Sequence, residues 1–358
     1  MNNELDFIKK YNIPVVKIDP KRNYWLVRTN AGEYFEEFYL GDFIGINWNE
    51  FSDPLDFTDV HKEDTTINIA DTYKENKQPG HTYSQIKRFF HEIKIGDIIM
   101  IPSKNSKHIG FGEVSSDVFI SKNSQTEIDE GECTYEKRRS VKWLKTVERK
   151  ELDPYLYKMM SSHLTISNAN DYADSIDRTL HTFYYKGDKA HLVLKVNQDN
   201  DIPLMDLLNG LTAPLELVEL INNPANSADF KKNDLDAKLR VQSRGLIELV
   251  SSGDAFLLVI LLGVAIVGLV GGKFRVDVNK EKIEGELSTE GLLEKILKFK
   301  QLSSSNKAEK QLHEKTIKEI EEKLLLAMDK LEMVTPKELD RLIETPMEEV
   351  VVNEDITK

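Results

Sequence analysis

Apolar and polar positions alternate in short runs through the first half of the chain, and turn residues separate the runs. Residues 24–28 (YWLVR) read as a strand closed by the turn signal Asn30-Ala31-Gly32. Residues 43–48 (FIGINW) read as a second strand, with Gly45 marking close packing or a bulge. After a turn at 94–97, residues 98–102 (IIMIP) form a buried strand; 108–114 (HIGFGEV) and 139–144 (RSVKWL) complete the set. Between them Ile86, Phe89, Phe90 and Ile93 recur at helical spacing, with Thr82 or Ser84 available as a cap. Several short strands at close spacing, with one or two helices, predict a small barrel.

The pattern changes after about residue 190. Residues 191–196 (HLVLKV) are strand-like, and Leu204, Leu207, Leu208, Leu211, Leu215, Val218 and Ile221 mark a helix. Residues 222–232 are polar and read as a loop. Leu235, Ala237, Leu239 and Val241 alternate again, and the run 273–278 is their expected counterpart. Residues 255–270 carry no charged or strongly polar side chain. Such a run, uniformly apolar and just under spanning length, is expected to enter a membrane as a span or hairpin; the alternative is a buried core element. Lysines and arginines flank it on both sides, so no orientation follows. Residues 306–334 form a charged helix with the stripe Leu312, Ile317, Ile320, Leu324, Met328 and Leu331, which fits either a short coiled coil or a helix docked on the body. Thr335-Pro336-Lys337-Glu338 has the form of a capping box opening a last short helix, and the acidic end 348–358 is expected to fray. The expected class is α+β in three parts: a recognition domain over 1–190, an α/β unit over 191–300 containing the apolar segment 255–270, and a charged helical tail over 301–358.

Composition narrows the options. A net charge of −13 on 358 residues argues against coating nucleic acid by bulk electrostatics, while a local basic groove stays possible. Cys133 is the one cysteine, so an intrachain disulfide and a cysteine zinc site are excluded. The N-terminal residues lack a basic start and apolar run, so the domains are expected to face the cytoplasm. His81, His91 and His108 show no metal-ligand spacing, and no phosphate-binding loop, dinucleotide fingerprint or nucleophile elbow is found. No cofactor is implied. The chain reads as a binding protein rather than a catalyst.

The ordered set Tyr24 to Arg28, Gly45-Ile46-Asn47-Trp48, Phe89-Phe90 before Ile95-Gly96-Asp97-Ile98-Ile99, and Ile109 to Val114 resembles the PUA/EVE-like superfamily. With the 139–144 strand, it is most similar to the N-terminal domain of Mrr-type and McrB-like restriction proteins, over about residues 20–185. The resemblance implies a small twisted barrel that reads nucleic acid, often a modified or flipped base held by aromatic side chains. The nuclease domain that follows in many such proteins has no counterpart after residue 190.

An extruded base needs a flat apolar surface to replace its lost stacking, worth roughly 1–3 kcal/mol per contact. Trp25, Trp48, Tyr34 and Phe35 are the candidate platforms, although either tryptophan alone also suits a barrel core. Arg28, Lys87, Arg88, Arg138 and Arg139 are the candidate phosphate contacts, and Asp97 is expected to stabilise its turn. The expected function is a sensor of nucleic acid or a nucleotide-like ligand coupled to a membrane-associated effector, in antiviral defence. The alternatives are a DNA-reading subunit that recruits a separate nuclease or NTPase, or a protein-binding scaffold. Self-association through the C-terminal helix is a further expectation.

Overall fold

The computed structural model describes residues 2–10, 12–129, 131–198, 200–221, 230–240, 245–270 and 307–337. The strands are β1 (Val16–Ile18), β2 (Tyr24–Val27), β3 (Phe43–Ile46), β4 (Ile98–Pro102), β5 (His108–Val114), β6 (Phe119–Ile120), β7 (Lys137–Glu148), β8 (Ile166–Asn168), β9 (Phe183–Lys186), β10 (Lys189–Val196), β11 (Asp236–Arg240), β12 (Gly245–Ser252) and β13 (Met333–Val334). The helices are α1 (Asn2–Lys10), α2 (Phe35–Leu40), α3 (Lys62–Thr72), α4 (Pro79–Lys87), α5 (Gln125–Asp129), α6 (Tyr155–Met160), α7 (Ala173–Leu180), α8 (Leu204–Ile221), α9 (Phe256–Val270) and α10 (Lys307–Leu331). The chain is α+β and divides into two compact units. One is Lys21–Leu180; the other joins Met1–Pro20 to His181–Lys358. The boundary expected at 190 moves back because β9 pairs in parallel with β1, which puts the N-terminal strand in the sheet that follows residue 180. The described part of the helical tail expected from 301, Lys307–Leu331 with the short strand after it, packs in that same unit.

In Lys21–Leu180 a curled, half-barrel sheet runs in the order β3-β7-β5-β4-β2-β8, with β6 also on β7. The parallel pair β2/β4 is buried along its whole length, as parallel strands covered on both faces are. Their alternate side chains enter two cores. Trp25, Val27, Ile99 and Ile101 join Phe38, Tyr83, Ile86 and Phe89 on one face; Tyr24, Leu26, Ile98 and Met100 meet Leu156, Met159 and Ile176 on the other. The helix expected around 82–93 starts earlier, at Pro79 with Gln78 before it, so Thr82 and Ser84 lie inside it and do not cap it. It ends in a π-helical turn, Arg88–Glu92. The second core rests on two ion pairs that hold α7: Arg22 Nη2 with Asp177 Oδ1 at 2.9 Å, and Arg178 Nη2 with Asp153 Oδ2 at 2.8 Å. Tyr24 Oη also donates to Asp177 Oδ1, at 2.6 Å.

In the other unit the sheet order is β1-β9-β10-β12-β11, with β13 on β10. The alternating run that begins at Leu235 forms β11, which pairs with β12 in a register that sets Ala237 against Leu249. The counterpart expected at 273–278 lies outside the described residues, as do the capping box's Glu338 and the acidic end. One face of the sheet (Leu192, Leu194, Ile247, Leu249) packs under α8, α9 and α10. The apolar run expected to enter a membrane is α9. It is long and apolar enough to cross one, and 72% of the window from Gly253 to Val270 is buried within the protein. The stripe on α10 is likewise spent internally: Ile320, Leu324, Met328 and Leu331 are buried in the same core as Ala213, Leu217 and Ile221 of α8, and Lys323 pairs with Glu216 at 2.7 Å. Docking on the body is therefore the arrangement present, while the side chain of Leu312 lies outside the described residues.

Candidate ligand-binding site

The two tryptophans singled out by the sequence have opposite surroundings. Trp25 is 3% exposed, and its Nε1 donates to Asp97 Oδ2 at 2.9 Å. The same carboxylate accepts from the backbone nitrogens of Asn23 (3.0 Å) and Lys94 (2.9 Å), so Asp97 ties its turn to β2, in line with its expected turn role. Trp25 is core and offers no face to a ligand. Its removal from the candidate platforms follows from the burial of β2 on both faces.

Trp48 is half-buried and lies just beyond β3, with φ of 64°. A left-handed backbone at a bulky L-residue costs roughly 1–2 kcal/mol, so the surroundings must hold it there. The segment is stitched to residues 134–137 by three hydrogen bonds. Asn49 Nδ2 donates to Thr134 O (2.8 Å), Glu136 N donates to Asn49 Oδ1 (3.1 Å), and Lys137 Nζ donates to Trp48 O (2.6 Å). Phe51 N closes a tight turn on that same carbonyl at 3.0 Å. Lys137 is fully buried, and burial pushes its amine down to about 8 despite the carboxylates of Glu50 and Glu136. Tyr73 Oη donates to Glu50, which keeps that carboxyl below its usual range.

Tyr34 is half-buried and meets Tyr135 edge-on at 5.0 Å between ring centroids. Burial pushes the Tyr135 phenol up to about 12. Phe35 belongs to a different group. It stacks on Tyr39 (6.0 Å), which stacks on Trp143 (5.2 Å), and Trp143 Nε1 donates to Phe38 O. This stack explains Gly112 of the Gly110-Phe111-Gly112 motif. A Cβ on Gly112 would stand 2.3 Å from Val141 Cγ1 and 2.7 Å from the Trp143 ring, so the missing side chain there makes the seat for the ring, whereas one on Gly110 would press on Ile101 at 3.1 Å and meet Phe35 only at ordinary contact distance. Phe35 thus fastens α2 to the sheet.

The expected phosphate contacts are mostly internal ties. Arg28 gives Nη2 to Met160 O (2.5 Å) and Nε to Ser162 O (3.1 Å). Arg139, 2% exposed, donates to the carbonyls of Phe89 (3.0 Å), Ser116 (3.0 Å) and Phe90 (3.2 Å), satisfying the end of the π-helical turn. Arg138 lies over the Phe43 ring at 4.3 Å and donates to Tyr135 O, Asn123 Oδ1 and Cys133 O. Arg88 donates to Ile166 O at 3.1 Å and lies 3.8 Å from Glu92. Lys87 pairs with Asp59. Planar guanidinium groups suit this work, because one head can serve several carbonyl oxygens. An open depression of about 530 Å³ lies beside Arg138, lined also by Glu37, Leu40, Gly41, Phe43, Gly131 and Glu132. Glu37 accepts from Cys133 N there, and burial pushes the Cys133 thiol up to about 12, which leaves it inert at neutral pH. Among the described residues no three histidine, cysteine or acidic side chains are placed to hold a metal.

Lys137, Tyr135 and the Asn49 ties were not found from the sequence. The signal for Lys137 lay in the parity of β7: Val141 and Arg139 face inward, and the same step of two lands on Lys137.

Residues 23–170 match a family described as a domain of unknown function (DUF8426). A crystal structure of an Agrobacterium tumefaciens protein, solved as a structural genomics target, is similar at 17% identity over 43% of this chain and 91% of that one, with a TM-score of 0.19. At that score the likeness carries no argument. No curated protein matches the chain.

Proposed function

We propose that Lys21–Leu180 is a PUA/EVE-like recognition domain that binds an unstacked nucleic-acid base or nucleotide, with Trp48 as its stacking surface. The observation that carries this reading is the half-exposed Trp48 indole held on a left-handed backbone. A merely structural tryptophan gains nothing from that strain, whereas a ligand platform gains a fixed orientation. The nearby Tyr34–Tyr135 pair adds further aromatic surface. Arg28 and Arg139 are committed to carbonyls, so in this reading phosphate contact falls to other cations. In this reading the domain is the sensor and the second unit responds, in the antiviral setting that the resemblance implies. The burial of α9 favours a response that does not depend on lipid insertion, and retention of the full chain in the supernatant after high-speed centrifugation tests that point.

The test of the site is titration of the full chain with short single-stranded DNA and RNA and with mononucleotides at low salt. Trp48→Ala should weaken binding about 5- to 150-fold, the equivalent of one stacking contact. A parent protein that binds none of these ligands, or a folded Trp48→Ala variant that binds as the parent does, would overturn the proposal and favour a protein-binding scaffold.

A further inference from the structure

We propose that Lys137 is a positioning residue for the Trp48 platform: its buried ammonium pins the Trp48 carbonyl, and the ring keeps its orientation only while that amine stays charged. The inference rests on the reading of Trp48 as a ligand platform. The geometry is specific. Lys137 is fully buried at the start of β7, and its Nζ reaches Trp48 O at 2.6 Å. That carbonyl belongs to the one residue of the segment with a left-handed backbone, so the bond acts on the strained peptide itself. A charged donor holds a carbonyl about twice as strongly as a neutral one, and a buried amine with few alternatives directs that strength at one acceptor.

The charged and titratable groups that face the amine are few. Glu50, in the segment after β3, and Glu136, the residue just before β7, both favour the protonated form. Glu50 is shared with the Tyr73 hydroxyl, and Glu136 is 3.7 Å from Lys122 Nζ, so each carboxylate is partly committed elsewhere. Desolvation outweighs them and brings the Lys137 amine down to about 8. As pH rises through that value the donor loses its charge, the tie weakens, and the strained peptide is released. The platform is therefore proton-gated, set at neutral pH and loosened in mild alkali.

The experiment uses the full chain labelled with 5-fluorotryptophan, whose three indoles, Trp25, Trp48 and Trp143, report separately by fluorine NMR. Trp48→Phe assigns the Trp48 signal. Between pH 6.5 and 9.5 the Trp48 resonance should shift or broaden with a midpoint near 8, while Trp25 and Trp143 stay fixed. Lys137→Met should move the Trp48 signal at every pH and abolish its titration. Lys137→Arg, which stays charged, should restore the parental position without the midpoint. A Trp48 resonance that is flat to pH 9.5, or that keeps the parental titration in a folded Lys137→Met protein, overturns the proposal. If Lys137→Met does not fold, judged by loss of the Trp25 and Trp143 positions, the parent's own titration decides. These signals need no ligand. A chain that titrates as described but binds no oligonucleotide would refute the reader function while leaving the positioning role in place.

Discussion

The two units bury their sheets by different means. Around Lys21–Leu180 the interior is threaded with cations: Arg22, Arg28, Arg138, Arg139 and Arg178 each reach inward to a carbonyl or a carboxylate, fixing turns and helix ends by hydrogen bonds. In the other unit α9 contributes thirteen buried apolar residues and no charge, and packing does the same work without direction. The difference matters for function. Apolar packing is tolerant of small shifts, whereas a hydrogen bond to a buried charge sets one geometry and penalises every other. A domain that must hold a strained tryptophan in place benefits from the second kind of interior.

Breaking each interior should expose the contrast. The largest effect is expected in α9. Ile260→Asp puts an unpaired carboxylate into the apolar core and should cost on the order of 4 kcal/mol or more, abolishing that unit's cooperative melt. If the segment instead served as a membrane insertion, the substitution would leave a folded protein shifted from the pellet to the supernatant. Next is Asp177→Ala, which removes the carboxylate that Arg22 and the Tyr24 hydroxyl share and should destabilise Lys21–Leu180 by about 3–5 kcal/mol in chemical denaturation. Arg28→Ala should cost about 1.5–3 kcal/mol of stability and leave the salt dependence of oligonucleotide binding unchanged, because its guanidinium serves protein carbonyls; a slope reduced by one would place it on phosphate after all. The smallest effect is on pH. The folded amine of Lys137 lies below its unfolded value, so between about 8 and the ordinary lysine range the unfolded chain binds more protons. Unfolding free energy should therefore rise with pH across that window in the parent and not in Lys137→Met. Stability and Trp48 pinning then respond to alkali with opposite signs, which keeps the two measurements independent.

The parts of this architecture that were legible in the sequence are those where one period dominates. β2, β4, β5 and β10 were found because their apolar residues run continuously or alternate cleanly, and α8 and α10 because their stripes are long. β12 was missed because Glu248 breaks its apolar run; in the fold that carboxylate is buried and bonded to His191 Nδ1 at 2.8 Å. α7 was missed because its inward residues include Ser175, Asp177 and Arg178, which read as surface. The same blindness applied to the site. Arginines close in sequence to exposed-looking aromatics suggest phosphate contact, and only the fold distinguishes a guanidinium in solvent from one bound to three carbonyls. Trp25 and Trp48 look alike as letters. A strand covered on both faces buries one, and a positive φ beyond β3 holds the other half-exposed.

The pairing of Val16–Ile18 with Tyr184–Lys186 also dictates an order of events during synthesis. The N-terminal strand leaves the ribosome before any of its sheet exists and must wait while the whole of Lys21–Leu180 is made. That intervening stretch contains all of its own strand partners, so it can complete its sheet while β1 is still idle. The finished inner unit then acts as a compact spacer that shortens the distance its flanks must search, lowering the loop-closure penalty for an otherwise remote parallel pair. A defect that slows the inner unit would delay the outer sheet as well, and would leave the uncharged α9 segment exposed to aggregation in the interval.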